Sequence, residues 1–482
     1  MKTYFQRFGY LQIAIILLIF IMASCKKFVE IPPPTSEITG VTVYSNNSSA
    51  ASVMTGLYSN MVVNPGELSS GGASIGSLTG LASDEFTNYD PTTAEYVQFY
   101  ENALTSSNQS SSNYYFWTEL YNEIYVTNAV LEGLAKSTGV TAPVKQQITG
   151  EAEFMRAFLH FYATNLYGDV PLVTSTNYQV NNSITRSPQV LVYRQIVADL
   201  KDAESKLSPN FVTALGTSTA ERTRPNQGAA SALLARVYLY TAKYDSAEME
   251  ATKLINNSSL YSLNSLNSVF LANSSEAIWQ LQPVNPGMNT WDAYAYVLEG
   301  VPGPNQWNSF AISSYLLNSF ETGDGRLTNW TDTLSGGGIT YYCPYKYKIW
   351  QYGLPLTEYT MVLRLAEQYL VRAEAKANLG DATAVNDLNV IRNRAGLPNY
   401  AGPTDKTSLL AAILHERQVE LFSEWGHRWF DLKRTNNINS VMGSPGNVCK
   451  AKGGIWNPDW ALLPLPLQEL QVNSKLTQNP GY

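Results

Sequence analysis

The sequence predicts a mainly α-helical fold: a tetratricopeptide-like helical solenoid with long, aromatic-rich loops and little strand. Three observations lead there. Residues Asn226 to Asn256 place Leu234, Ala235 and Tyr238 before a turn at Tyr244, then Ala247 and Ala251. This is the small/large spacing of a two-helix repeat, in which alanines let the helices approach and large residues fill the gaps. A second such unit spans Leu363 to Arg394, with Ala366, Tyr369, Leu370, Ala373 and Ala377 on one face and Gly380-Asp381 at the turn. Between them, Leu260 to Pro355 loses helical period and becomes rich in Gly, Pro, Asn and aromatics. Loops of that length inside a compact protein carry function or are disordered, and the aromatic density argues against disorder.

Taken in order, residues 1–24 read as a targeting segment. Lys2 and Arg7 precede an apolar run from Leu11 to Met22 that falls short of the about 20 residues of a membrane span. Met22-Ala23-Ser24-Cys25 has the form of a lipobox, which would make Cys25 a lipid-modified (palmitoylated) new N-terminus. Ordinary signal-peptide cleavage is the alternative. Residues 25–40, with Lys26-Lys27 and the run Pro32-Pro33-Pro34, read as a stiff tether. A helix is expected from Ser48 to Met61, then a Gly/Ser loop from Gly66 to Gly80, a Ser/Asn loop from Ser106 to Asn113, and a helix carrying Trp117, Leu120, Ile124 and Leu131. From Val144 to Tyr167, Ile148, Ala152, Met155, Leu159, Tyr162 and Leu166 fall on one line at helical period, stopped by Gly168-Asp169-Val170-Pro171. Arg156 and His160 sit off that stripe as a polar inter-helix contact. Pro188 to Leu207 forms a further helix.

Composition excludes several classes. The 482 residues carry net charge −7, with only 15% charged, so no basic stripe exists to neutralise nucleic-acid phosphates. Three histidines and three cysteines are too dispersed for a metal site, and neither metal nor cofactor is expected. Cys343 and Cys449 remain as either a bridge or two buried thiols. No Gly-x-Ser-x-Gly, P-loop or His-Glu-x-x-His occurs. Glu416, Glu420 and Glu424 resemble paired carboxylates only superficially, because one buried helix face carries them beside arginines. No catalytic residue is assigned and no enzyme is expected. The 31 Tyr and 10 Trp instead suit a wet binding surface, where an apolar ring carries a polar tip.

The most informative stretch is His415 to Arg434, HERQVELFSEWGHRWFDLKR. Leu410, Ile413, Leu414, Leu421 and Trp425 share one helical stripe, with Arg417 in its middle. A guanidinium there needs carboxylates, and Glu420 and Glu424 lie on the flank of the same face. Gly426 is expected to end the helix, and Asp431 to cap a second turn or pair with an arginine. Arg417, Glu420, Glu424, Arg428 and Asp431 are therefore read as a structural corner.

This stretch, with Leu463-Pro464-Leu465-Pro466 and Leu476-Thr477-Gln478-Asn479-Pro480-Gly481-Tyr482 at the end, resembles the SusD/RagB family of Bacteroidetes outer-membrane lipoproteins. The run Gly150 to Val173 and the segment Ser314 to Arg326 resemble further blocks of that family. The resemblance implies a SusD-like N-terminal helical region over 41–260 and a SusD/RagB C-terminal region over 261–482, forming one compact body. It implies a surface lipoprotein of nutrient uptake that binds oligosaccharide and passes it to a TonB-dependent SusC-like transporter. A helical-repeat scaffold or peptide-binding lipoprotein of the same machinery is the alternative reading, and a glycoside hydrolase a weaker one. The rings expected to face a sugar are Trp291, Tyr294, Tyr296, Trp307 and Trp330, with Tyr89 and Tyr96 from the N-terminal loop, since aromatic faces match the apolar C–H faces of pyranoses.

Overall fold

The computed structural model describes residues 40–64, 68–107, 112–304 and 308–482. The leader 1–24, Cys25, the tether as far as residue 39, and Trp307 lie outside the described residues. The chain divides into two units, Met1–Val43 and Tyr44–Tyr482. Within the first, Gly40–Val43 forms a single helical turn.

In the second unit the helical body is built from α1 (Asn47–Val63), α2 (Ile75–Ala82), β1 (Phe86–Asn88), α3 (Ala94–Tyr100), α4 (Ser112–Lys136), α5 (Ala142–Tyr167), α6 (Gln189–Lys206), α7 (Gln227–Tyr240) and α8 (Tyr244–Asn256). Helices α4 to α8 pack each on the next. Gly168 closes α5 at φ 78°, its N–H bonded to the Thr164 carbonyl, so the long apolar stripe ends where the sequence places its breakers. The close approach of α7 and α8 rests on Ala229, Ala230, Ala247 and Ala251, all fully buried. Arg156 on α5 pairs with Asp199 on α6 at 2.6 Å, as expected of a polar inter-helix contact.

The chain then leaves the repeat through β2 (Ala277–Leu281), α9 (Trp291–Tyr296), β3 (Phe310–Ile312), the hairpin β4 (Thr331–Gly336) and β5 (Ile339–Pro344), and β6 (Thr360–Arg364). Three two-stranded antiparallel sheets result: β1 with β3, β2 with β6, and β4 with β5. Strand β6 runs without a gap into α10 (Leu365–Leu379), followed by α11 (Ala384–Arg394), α12 (Lys406–Glu420) and α13 (His427–Arg434). Helix α10 packs on α8, resuming the stack across the long insertion. Its Gly380 takes the left-handed conformation at φ 80° and returns its N–H to the Ala377 and Lys376 carbonyls. The protein is thus mainly helical with small sheets, as the repeat spacing predicts.

The corner at α12–α13 differs from its reading in sequence. Helix α12 ends at Glu420, not at Gly426. Ser423, Trp425 and Gly426 all take positive φ, so the chain turns sharply and Glu424 leaves the helical line. Arg417 is consequently answered by Asp431 at 2.7 Å, not by Glu420 or Glu424. Its two terminal nitrogens are buried with no hydrogen-bond partner among the described residues.

Glu420 and Glu424 instead anchor a separate buried ion network. Glu420 meets Arg326 at 3.0 Å and Arg364 at 2.5 Å, and also pairs with Arg394. Glu424 meets Arg364 at 2.8 Å and Lys346 at 2.5 Å. Glu276 closes the ring onto Arg364 and Arg394 at 3.1 and 2.8 Å. Arg326 also holds Asp324 and Glu416 at 2.8 and 2.6 Å. Burial disfavours the Glu420 carboxylate, yet Arg394, Arg364 and Arg326 together hold it well below the usual carboxylate range.

Removing one member of such a network leaves its partners charged and dry, which costs about 3–5 kcal/mol. Glu420→Gln is expected to lose stability on that scale in urea melts. Arg417→Leu is expected to lose only about 1–3 kcal/mol, because Asp431 keeps Arg434 at 2.8 Å. Equal stability losses in the two variants would contradict this ranking.

Candidate ligand-binding face

The motif in α13 reaches the N-terminal loop directly. Arg428 grips both carboxylate oxygens of Asp84, at 2.8 and 2.6 Å. Burial opposes the charge on Asp84, and the Arg428 guanidinium nevertheless holds its carboxyl below the ordinary value. Asp84 also accepts the Ser313 hydroxyl at its carbonyl, and the Ser313 N–H donates to the Glu85 carbonyl at 2.8 Å. These bonds fix β1 against β3, with Phe86 opposite Ile312 and Asn88 opposite Phe310.

Two of the expected rings leave this sheet. Tyr89 follows β1, its N–H donating to the Ser309 carbonyl at 2.8 Å. Its half-buried ring stands edge-on to Tyr341 of β5, with centroids 5.1 Å apart at 84°. Tyr96, on α3, meets Phe310 edge-on at 5.7 Å and 88°. Its phenol overhangs Gly72, where a Cβ would come within 2.6 Å of the oxygen and displace the ring. Burial pushes the Tyr96 phenol up to about 12.

A second group sits on α9. The Thr290 hydroxyl accepts the Ala293 N–H at 3.1 Å and caps the helix. Asp292 accepts the Gly71 N–H at 2.9 Å, tying α9 to the loop that carries Gly72 and thereby to Tyr96. Asn308 donates to the Tyr294 carbonyl at 3.1 Å from the other side. On this braced turn Trp291 and Tyr294 stand perpendicular, centroids 5.8 Å apart at 89°, and both are half-buried. Such rings offer edge and face to a ligand without needing to be ordered by it.

Two expected platforms are packing residues. Tyr296 is 3% exposed, and its hydroxyl accepts from Ser77 at 2.9 Å. Trp330 is fully buried: its indole N–H donates to the Leu266 carbonyl at 2.8 Å, and Lys346, Arg394 and Arg364 lie 4.8, 5.4 and 5.8 Å from its ring. It roofs the ion network, since an aromatic face is the one apolar surface that welcomes cations. Trp307 lies outside the described residues.

Sequence reasoning bypassed Tyr341 and Tyr352. Tyr341 is marked only by strand alternation within β5. Tyr352 is 76% exposed and lies against Gly287, which has φ 77° and would bring a Cβ to 3.0 Å of the ring. The Asn-Pro-Gly at 285–287 is the only local signal. Glu416, Glu420 and Glu424, the carboxylates a hydrolase reading would use, are each engaged by arginine or lysine in the core. Cys343 and Cys449 are both buried free thiols.

Residues 340–482 match the SusD family, and residues 50–239 match the family described as starch-binding associating with outer membrane. The chain belongs to the SusD/RagB family. Among relatives, a SusD-like protein of Formosa agariphila is 25% identical, with 98% of this chain and 99% of that protein covered. A SusD-like protein of Bacteroides ovatus is 25% identical, with 73% and 70% covered. Among solved structures, a SusD superfamily protein of Bacteroides vulgatus aligns with TM-score 0.78 at 22% identity, covering 92% of this chain and all of that one. A laminarin-binding SusD-like protein aligns with TM-score 0.73 at 24% identity, covering 91% and 100%. The SusD fold of the chain therefore carries its aromatic pairs on the long insertion and the N-terminal loop, outside the helical stack.

Beside Asp84, Glu85 is buried with one carboxylate oxygen unpaired. Burial, and then the neighbouring Asp84 charge, push its carboxyl up to about 8. The folded chain thus binds this proton more tightly than the unfolded one. The resulting stability is present in full below about 4.5, the ordinary value, and is lost as the pH rises through about 8. Glu85→Gln is expected to shrink the fall in stability between pH 5 and pH 9 by about 2–4 kcal/mol in paired urea melts. An unchanged fall would show that Glu85 ionises freely in the fold.

Proposed function

We propose that this SusD/RagB protein captures neutral oligosaccharides through Tyr89, Tyr96, Trp291 and Tyr294, with Tyr341 behind Tyr89, and holds them without cleavage. The observation that carries the reading is the perpendicular, half-exposed Trp291–Tyr294 pair, braced from two sides by Asp292 and Asn308. Fixed rings of this kind stack on sugar C–H faces at little entropic cost. Membership of a family with a starch-binding description and likeness to a laminarin-binding protein support the ligand class. Glu416, Glu420 and Glu424 are ion-paired in the core and offer no free carboxylate pair, which favours binding over hydrolysis.

On this reading, Cys25 carries the lipid that holds the protein at the outer membrane, facing the cell surface, and the bound glycan passes to a TonB-dependent SusC-like transporter. Several acyl chains on one residue suffice for stable anchoring, whereas a single chain binds marginally. Cys25→Ser is the direct check: the protein is expected to leave the membrane fraction.

A glycan array, followed by calorimetry with laminarihexaose, maltohexaose and any further hit, tests the binding step. At least one glycan is expected to bind. Trp291→Ala and Tyr89→Ala are each expected to weaken it about 3- to 10-fold, with melting temperature little changed. No hit on the array, or undiminished affinity in both variants, would overturn the reading.

A further inference from the structure

One concavity is lined by none of Tyr89, Tyr96, Trp291, Tyr294 and Tyr341. It has a volume of about 510 Å³ and opens between α1, the turn at 212–219 and the segment that leaves β2. That size is within the range of small-molecule sites. The turn is a small closed hairpin: Val212 bridges Ser218, the Thr213 N–H donates to the Thr217 carbonyl at 2.7 Å, and Gly216 takes φ 83°. The wall is therefore built rather than draped.

Its buried cation is spent within the protein. Arg224 lines the floor, but Nε and Nη2 bind Glu151 at 3.1 and 2.7 Å and Nη1 donates to Thr55 at 3.0 Å. Tyr58 donates to the same carboxylate at 3.0 Å. Glu221, at the rim, already accepts from Asn273 at 2.8 Å. A guanidinium held this way offers poor purchase to an anion, while Glu221 is exposed at the rim and its partner Asn273 is neutral.

What the concavity does offer is neutral hydrogen bonding beside apolar surface. The side chains of Ser59, Thr223 and Gln282 line it and make no hydrogen bond to any described residue. Thr213 and Thr219 accept from the Thr217 and Glu221 N–H groups, which leaves each hydroxyl proton to donate outward. Pro283 and Val284 supply the apolar part of the lining. Hydroxyls that both donate and accept, an amide that does both, and a hydrocarbon wall are together the complement of a polyol with C–H faces.

We infer that this concavity is a second saccharide site, taking one to a few neutral sugar units between Ser59, Thr223 and Gln282. The choice of a sugar as ligand rests on the glycan-binding reading; the position and the recognising groups do not. The two sites share no residue.

Saturation-transfer NMR on the full chain in detergent micelles tests it, with the methyl glycosides of glucose, galactose, mannose, xylose and N-acetylglucosamine as probes. Gln282 is exposed, so Gln282→Trp fills the concavity without disturbing the core. Transfer to at least one probe is expected in the Tyr89→Ala/Trp291→Ala double variant, in which the aromatic site is disabled, and is expected to vanish when Gln282→Trp is added to it. Thr223→Val, of similar shape, is expected to weaken that probe about threefold to tenfold, which keeps the test open if the tryptophan variant unfolds. Transfer that survives the added Gln282→Trp, or that is already absent from the double variant, would overturn the second site and leave the aromatic site standing. No transfer to any probe, with a glycan still captured on the array, would overturn the second site alone. Silence in both assays would overturn both.

Discussion

The structure depends on a carboxylate that never sees water. Glu420 closes α12 and draws in arginines from three otherwise unrelated places: the turn at Asp324–Arg326, the end of β6, and the end of α11. None of these side chains is tolerable alone in that environment, since an unpaired buried charge costs several kcal/mol. Together they act as a lock that accepts only one arrangement of insertion, repeat and corner. Trp330 and Phe270 finish the lock by laying ring faces against the cations. A well-packed apolar core of the same volume would hold as firmly, but it would specify the mutual positions of these four segments less sharply.

That demand for specificity follows from the topology. Between α8 and α10 the chain spends about a hundred residues outside the helical stack and then returns to it, which is expensive in loop entropy. The return is secured twice, by β6 pairing with β2 and by Arg364 at the junction of β6 and α10. The loop-borne rings inherit their positions from this closure. Asp84, gripped by Arg428, does the same for the N-terminal loop. Helical scaffold and ring-bearing loops share one buried apolar core, which joins Phe86, Tyr296, Phe310 and Trp330 to Phe158 and Trp425, and the two charged points fix their register within it.

The sequence made some of this legible and hid the rest for identifiable reasons. Helical period and small-residue spacing announced α5, α7, α8, α10 and α11, because those signals are local. The stripe through Leu421 and Trp425 misled, because three successive uses of positive φ after Glu420 cannot be read from residue types other than Gly426. Arg417 was correctly read as buried and paired, yet its partner lay on the following helix. Trp291 and Trp330 have equal claims as sugar platforms in sequence. What separates them is a single long-range bond, from the Trp330 indole to the Leu266 carbonyl, and the cations gathered beneath. The concavity at Arg224 was invisible, since its lining joins residues near 55, 215, 224 and 283.

The grip of Arg428 on Asp84 spans 344 positions of the chain. A polypeptide emerging N-terminus first would hold its N-terminal loop by β3, Ser313 and Asp292 until Arg428 had been delivered. Contacts of such reach form late, because the loop-closure cost is met before they return anything. The surface around Tyr89 and Tyr96 therefore reaches its final order late in assembly, and a molecule cut short before Arg428 would keep its helical spine while losing the charged anchor of that loop.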